Sequence, residues 1–373
     1  MAIELYHPGL RGIIVGETEI SRLDGGLQYR GYSIEDLADE ASFLEVAYLL
    51  LYEDLPSPIE LADFHSILAE DAVLPAETGS LFEQLPLHVS PVEAVRTGVS
   101  LLAHFDPATQ DEGEAAVEAQ ARRVLARLPL LVAAADRLRT GRPPGTFDPE
   151  LGFGANILQL LTGRRPCVLE ERALETALIV SAEQEFNPST YAARVVASSR
   201  AGLYASILAG LGTVIGPDHG GGNDRVLKLL DDAGTADTAR EWIHALPHDA
   251  TLAGFGHPVY KNADPRATIL TELCSELADA RGEIELERTA AAVEHAVHER
   301  WKRPANLDWP LARVFHYLDL PPELHLPLFI CARSVGWCAH AIEQMRDGQL
   351  IRPRARYRGA EDLSYVPLHE RSM

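Results

Sequence analysis

The chain of 373 residues is 46% hydrophobic and 24% charged with a mean hydropathy near zero, a globular composition that excludes a disordered polymer; its length suits about two domains. Its 55 acidic residues against 33 basic ones leave a net charge of -22, the wrong sign for a nucleic-acid or anionic-membrane surface, so an anionic ligand needs a local basic pocket. Cys167, Cys274, Cys331 and Cys338 form no C-x-x-C pair, no transmembrane-length apolar run occurs, and the start of the chain carries Glu4 and His7; a reduced, cytoplasmic protein without leader or membrane span is expected.

In chain order, the turn signal Asp24-Gly25-Gly26, flanked by residues 12–16 and 27–29, predicts a small β-hairpin or extended arm. From Ser33 the rhythm turns helical, with Asp36 completing a capping-box-like start and Leu37, Phe43, Val46, Ala47 and Leu50 following. Ser90-Pro91-Val92-Glu93 supplies a serine cap, proline at the first helical position and glutamate at the third, ahead of Val95, Val99 and Leu102 on the face of Val92. Further helices are predicted over 122–138, 170–185, 191–210, 225–232, 265–280 and 286–301, separated by Pro/Gly segments such as 141–145. Strand-length alternation is nearly absent after residue 32, so the fold class expected is all-α. Cys331 and Cys338, two helical turns apart beside Trp337, read as buried packing residues.

Three segments carry candidate chemistry. Residues 216–224, a glycine-rich turn holding His219, run into a predicted helix start whose free N–H groups suit a carbonyl oxygen or anion; a tight interhelix turn with a surface histidine accounts for the same residues. Gly254-Phe255-Gly256-His257 sets a second histidine in a glycine-flanked turn ahead of Asp264-Pro265-Arg266. Asp308 lies between apolar Leu307 and Trp309, surroundings that raise a carboxylate's basicity and suit a general base, although an aspartate before Trp-Pro is more often a cap or turn residue. Residues 333–373 hold seven arginines against five acidic residues, a net of +2 in an otherwise acidic chain; this suits carboxylate or phosphate binding, or a solvated basic tail. His295, His298 and Glu299 share one helix face, but no third ligand stands at zincin spacing, so no metal is expected.

Taken together these segments resemble the citrate synthase family. The resemblance rests on Gly9-Leu10-Arg11-Gly12, Tyr29-Arg30-Gly31-Tyr32, Asn187-Pro188-Ser189-Thr190, residues 216–223 and 254–266, Asn306-Leu307-Asp308, and the stretch from Val335-Gly336-Trp337 to Arg352-Pro353. It implies a citrate synthase-like, all-α, two-domain fold: a large domain of residues 1–219 and 313–373, and a small one of 220–312 that closes over the cleft. It also implies a homodimer that lends an arginine across the interface. By the same resemblance His219, His257 and Asp308 are the catalytic triplet. Asp308 would take a proton from acetyl-CoA, His219 would hold the thioester oxygen, and His257 would polarise the keto oxygen of oxaloacetate. Arg266, Arg333 and Arg352, the last from the partner, would bind carboxylates with Gln184 and Asn187. Leu252, Gly254, Gly256 and Lys261 would hold coenzyme A, which enters as substrate, with no cofactor.

Gln184 departs from the family, which carries a histidine there; glutamine still donates, but it carries no proton. Pro188 replaces a usual alanine and Pro258 a common arginine. The alternatives implied are a 2-methylcitrate synthase using propionyl-CoA and a non-catalytic acyl-CoA- or dicarboxylate-binding relative. The length also lacks the extra domain of NADH-regulated hexameric members.

Overall fold

A computed structural model describes residues 6–10, 12–142, 145–220 and 222–371. Arg11 and Gly221, which fall in two of the segments singled out above, lie outside them, as do Pro143 and Pro144 of the expected 141–145 break.

The amino-terminal arm is a three-stranded antiparallel meander: β1 (Ser21–Arg22), β2 (Gln28–Tyr29) and β3 (Tyr32–Ser33). Gly25 and Gly26 at the first turn and Gly31 at the second all have positive φ, which only glycine adopts without strain. The hairpin is therefore one strand richer than expected, and it starts later. Residues 12–16 form no strand, and Ile14 stands exposed.

The remaining regular structure is helical: α1 (Ile34–Glu40), α2 (Phe43–Tyr52), α3 (Pro58–Asp71), α4 (Ala76–Phe82), α5 (Pro91–Phe105), α6 (Glu114–Thr140), α7 (Phe153–Thr162) and α8 (Val168–Ser181). There follow α9 (Pro188–Ala197), α10 (Leu203–Val214), α11 (Asn223–Ala233), α12 (Ala236–Ala245), α13 (Pro265–Arg281), α14 (Ile284–Trp301), α15 (Asp308–Tyr317) and α16 (Pro322–Asp347). The all-α expectation holds. Three predicted boundaries do not, each for a local reason. The run from Ser33 splits because Ser42 starts α2 with a reciprocal cap: its N–H donates to Glu45 Oε2 at 2.8 Å. The run 191–210 splits because Arg200 and Gly202 both take positive φ. The run 170–185 ends at Ser181 because the buried Tyr29 hydroxyl accepts from Glu183 N–H at 3.2 Å, holding the chain away from the helix axis.

Two apolar cores result. The larger joins α2, α5, α6, α8, α10 and α13 around α16, which is buried almost from end to end and contains Cys331 and Cys338. The smaller gathers Val226 and Leu230 of α11, Ile243 of α12, and Val293 and Val297 of α14 with Leu252 and Phe255 from the loop before α13. Helix α15 serves both: Leu307, Leu311 and Val314 enter the large core, while Trp309 and Ala312 enter the small one.

Candidate active site

The site forms where α16, the segment after α8, and the loops before α11, α13 and α15 meet. At mid-helix in α16, Arg333 is 1% exposed; its Nε donates to the Ser181 carbonyl at 2.7 Å and its Nη2 has no partner. Burial lowers its pKa to about 10, opposed by nearby Glu183. Buried Arg266, on the first turn of α13, meets Asp264 through two parallel bonds, Nε to Oδ1 at 2.9 Å and Nη2 to Oδ2 at 2.8 Å. The same carboxylate caps α13 and accepts from Leu307 N–H at 3.1 Å, tying the start of α15 to Arg266. Burial alone would raise Asp264; Arg266 holds it below the usual carboxylate range.

His219 and His257 are both set as neutral donors. Ser189 N–H, in the first turn of α9, donates to His219 Nε2 at 3.3 Å, which leaves the proton of the neutral ring on Nδ1. In His257 the pattern is reversed: Nδ1 accepts from Val259 N–H and Tyr260 N–H, each at 3.1 Å, so Nε2 carries the proton. Burial lowers both imidazoles to about 4, aided by Arg333 at His219 and by Arg266 at His257. Neither ring is charged at neutral pH.

Gln184 joins these groups. Its Oε1 accepts from Arg266 Nη1 at 2.6 Å, which turns the amide Nε2 toward His257 Nε2, 3.2 Å away. Two donors therefore converge, an arrangement suited to one shared acceptor oxygen. Asp308 opens α15 against Gly222, three residues past His219: a Cβ on Gly222 would fall 2.2 Å from Asp308 Oδ2. Asn306 links Asp308 to the His257 loop, its Oδ1 accepting from Asp308 N–H at 3.0 Å and its Nδ2 donating to the Gly256 carbonyl at 2.9 Å.

Of the residues singled out in the sequence, the structure brings His219, His257, Asp308, Gln184, Arg266 and Arg333 into this one cluster. Asn187 borders it: its Nδ2 donates to the Gln184 carbonyl at 3.3 Å, and its Oδ1 caps α9, accepting from Ser189 N–H at 3.1 Å, and so fixes the donor to His219. Leu252 is buried in the small core, Gly254 packs on Trp309 with φ of 82°, and Lys261 Nζ donates to the His257 carbonyl at 2.9 Å. Arg352 is not in the cluster of its own chain; it is exposed and donates to the Pro353 carbonyl at 3.2 Å. Ser189, Asp264 and Asn306 hold the cluster together, although in the sequence they stand only as members of motifs, with no role of their own. Their type gives no signal, although Asp264 and Ser189 stand at helix starts, where caps are expected. Glu299 pairs with Arg240 at 2.8 Å, and no group of metal-binding side chains occurs among the described residues.

An all-helical chain that seats two neutral imidazoles, a carboxylate and a buried guanidinium at the seam of two cores is built as an acyl-transfer enzyme. Residues 9–354 match the family described as "Citrate synthase, C-terminal domain", and the chain belongs to the citrate synthase family. It is 37% identical to citrate synthase 2 of Bacillus subtilis over 98% of this chain and 99% of that protein. It is 34% identical to a 2-methylcitrate synthase of Shewanella oneidensis over 99% of both. Among solved structures, citrate synthase of Thermotoga maritima superposes with a TM-score of 0.89 at 32% identity, covering 99% of this chain and 100% of that one. The ternary complex of carboxymethyl coenzyme A and oxaloacetate with citrate synthase of Thermoplasma acidophilum gives 0.91 at 28% identity, over 97% and 98%.

Proposed function

We propose that the protein condenses acetyl-CoA with oxaloacetate and hydrolyses the citryl-CoA formed to citrate and coenzyme A. The observation that carries this is Arg333, a buried guanidinium with an unpartnered Nη2 beside two imidazoles fixed as neutral donors. A charge so desolvated calls for an anionic ligand, and a dicarboxylate supplies one beside the donors its keto oxygen needs.

Asp308 removes a proton from the methyl carbon of acetyl-CoA while His219 donates from Nδ1 to the thioester oxygen, stabilising the enol(ate). The carbon nucleophile attacks the keto carbon of oxaloacetate, whose oxygen is held by His257 Nε2–H and the amide of Gln184. Water then cleaves the thioester. Arg266 and Arg333 bind the carboxylates, with Arg352 of the partner subunit completing a homodimeric site, and Asn187 supports His219. The loop bearing Leu252, Gly254, Gly256 and Lys261 receives coenzyme A, and residues 220–312 act as the small domain against the large one. Coenzyme A enters as substrate, and the family requires no cofactor. The setting is cytoplasmic; in support, no described helix is long and apolar enough to cross a membrane.

The test is thiol release with oxaloacetate present, using acetyl-CoA and propionyl-CoA in parallel. Release that depends on oxaloacetate, and is faster with acetyl-CoA, is the expected result. No release with either donor, alongside measurable coenzyme A binding, would replace this reading with that of a non-catalytic relative.

A further inference from the structure

Residues 246–264 connect α12 to α13 without helix or strand, apart from one bridge between Phe255 and Ala305, and 246–261 form most of that loop. A stretch of that length holds one shape more firmly where side chains from outside it bond its backbone carbonyls. The end of α14 and the residues just after it supply the donors. Arg300 donates to the carbonyls of Ile243 and Leu246, the second at 2.5 Å. Trp301 Nε1 donates to the His248 carbonyl at 2.8 Å, and Arg303 Nη1 to that of Ala250 at 2.8 Å. The donors brace one another: the Arg300 guanidinium lies 4.3 Å over the Trp301 ring and that of Arg303 lies 5.7 Å from it. Main-chain bonds continue the series, Gly256 N–H to the Pro304 carbonyl at 2.8 Å and Asn306 N–H to that of Gly254 at 2.9 Å.

We propose that Arg300, Trp301 and Arg303 are positioning residues: they clamp loop 246–261 in the shape that receives coenzyme A and so set affinity for the acyl-CoA substrate without touching the reacting atoms. This deepens, and rests on, the assignment of residues 252–261 to coenzyme A. Only Leu252, Phe255 and Tyr260 of the loop are buried apolar anchors, and the clamp is what holds its first part, residues 246–250, before binding. A loop ordered beforehand loses less freedom when the ligand arrives, and that difference appears directly in affinity.

The test varies each substrate separately in Trp301→Phe, Arg303→Met and Arg303→Lys, and titrates coenzyme A itself. Trp301→Phe removes a neutral N–H and keeps an aromatic ring, so its effect is not lost attraction to phosphate. The expected result is a KM for acetyl-CoA and a Kd for coenzyme A raised about threefold to tenfold, the net worth of one hydrogen bond. The kcat and the KM for oxaloacetate stay within about twofold. Arg303→Lys, which keeps an N–H near the Ala250 carbonyl, falls closer to wild type than Arg303→Met. Amides of residues 246–256 exchange faster in Trp301→Phe and slow again at saturating coenzyme A. Unchanged coenzyme A affinity in Trp301→Phe and Arg303→Met overturns the proposal, as does a parallel fall of all three kinetic constants, which marks a clamp serving only the small core. If wild type binds coenzyme A without turnover, the proposed reaction fails while a weakened Kd in Trp301→Phe still supports the clamp; if wild type binds none, both fail.

Discussion

Asp308 is the one carboxylate placed as the proposed proton acceptor, with its backbone held by Asn306 and its side chain against Gly222. Asp308→Asn keeps the shape and removes the basicity, so kcat at saturating substrates is expected to fall by at least about 10² to 10⁴. Unchanged turnover in a coenzyme A release assay would remove Asp308 from the mechanism. The groups of the proposed mechanism were legible as candidates in the sequence because His219 and His257 stand in glycine-rich turns and Asp308 between apolar neighbours, all unusual settings. The partners were not. Ser189 meets His219 Nε2 through a backbone N–H at 3.3 Å, which any residue but proline offers, and through its hydroxyl at 2.8 Å, and Gln184's placement between Arg266 and His257 depends on three elements meeting. Gln184 was visible as a departure from the family, but that its carbonyl is turned to Arg266 and its amide to His257 is a fact of packing.

Among the elements, α11 has a tight start: Gly222 has φ of -97°, ordinary backbone for any residue, yet its missing Cβ leaves the space that the Asp308 carboxylate occupies. Gly222→Ala is therefore expected to fold normally while displacing Asp308, lowering kcat at least about tenfold, the order of effect of a misplaced catalytic group. It should add little to Asp308→Asn in the double variant, since both act on one group. Full additivity would show that Gly222 acts elsewhere. Helix starts were the most legible feature, as Ser90-Pro91 and Asp264-Pro265 show by opening α5 and α13 where expected. Interruptions were not. Pro129 and Pro327 lie inside α6 and α16, and the exit from α8 is made by Tyr29, about 150 residues earlier in the chain.

For the whole molecule, burial of His219 and His257 as neutral rings couples stability to acid. Both pKa values fall from 6.5 to about 4, so between those values the unfolded chain binds more protons than the folded one. Their contribution is present above the unfolded value and is lost as pH falls from 6.5 towards 4. The Tm is expected to decline from about pH 6.5 downward, and less steeply in a His219→Asn, His257→Asn double variant. Identical slopes in the two proteins would refute this origin of the acid sensitivity.

The sharing of α15 between the two cores has a further consequence. His219 is braced by α9, which packs in the large core; His257 rides on a loop rooted by Leu252 and Phe255 in the small one; Asp308 opens the helix that belongs to both. On the mechanism proposed, neither core carries the full set, so the trio would work as a vernier whose marks coincide at one mutual setting of the two. On that reading a substitution remote from every reacting atom would lower turnover merely by shifting one scale against the other.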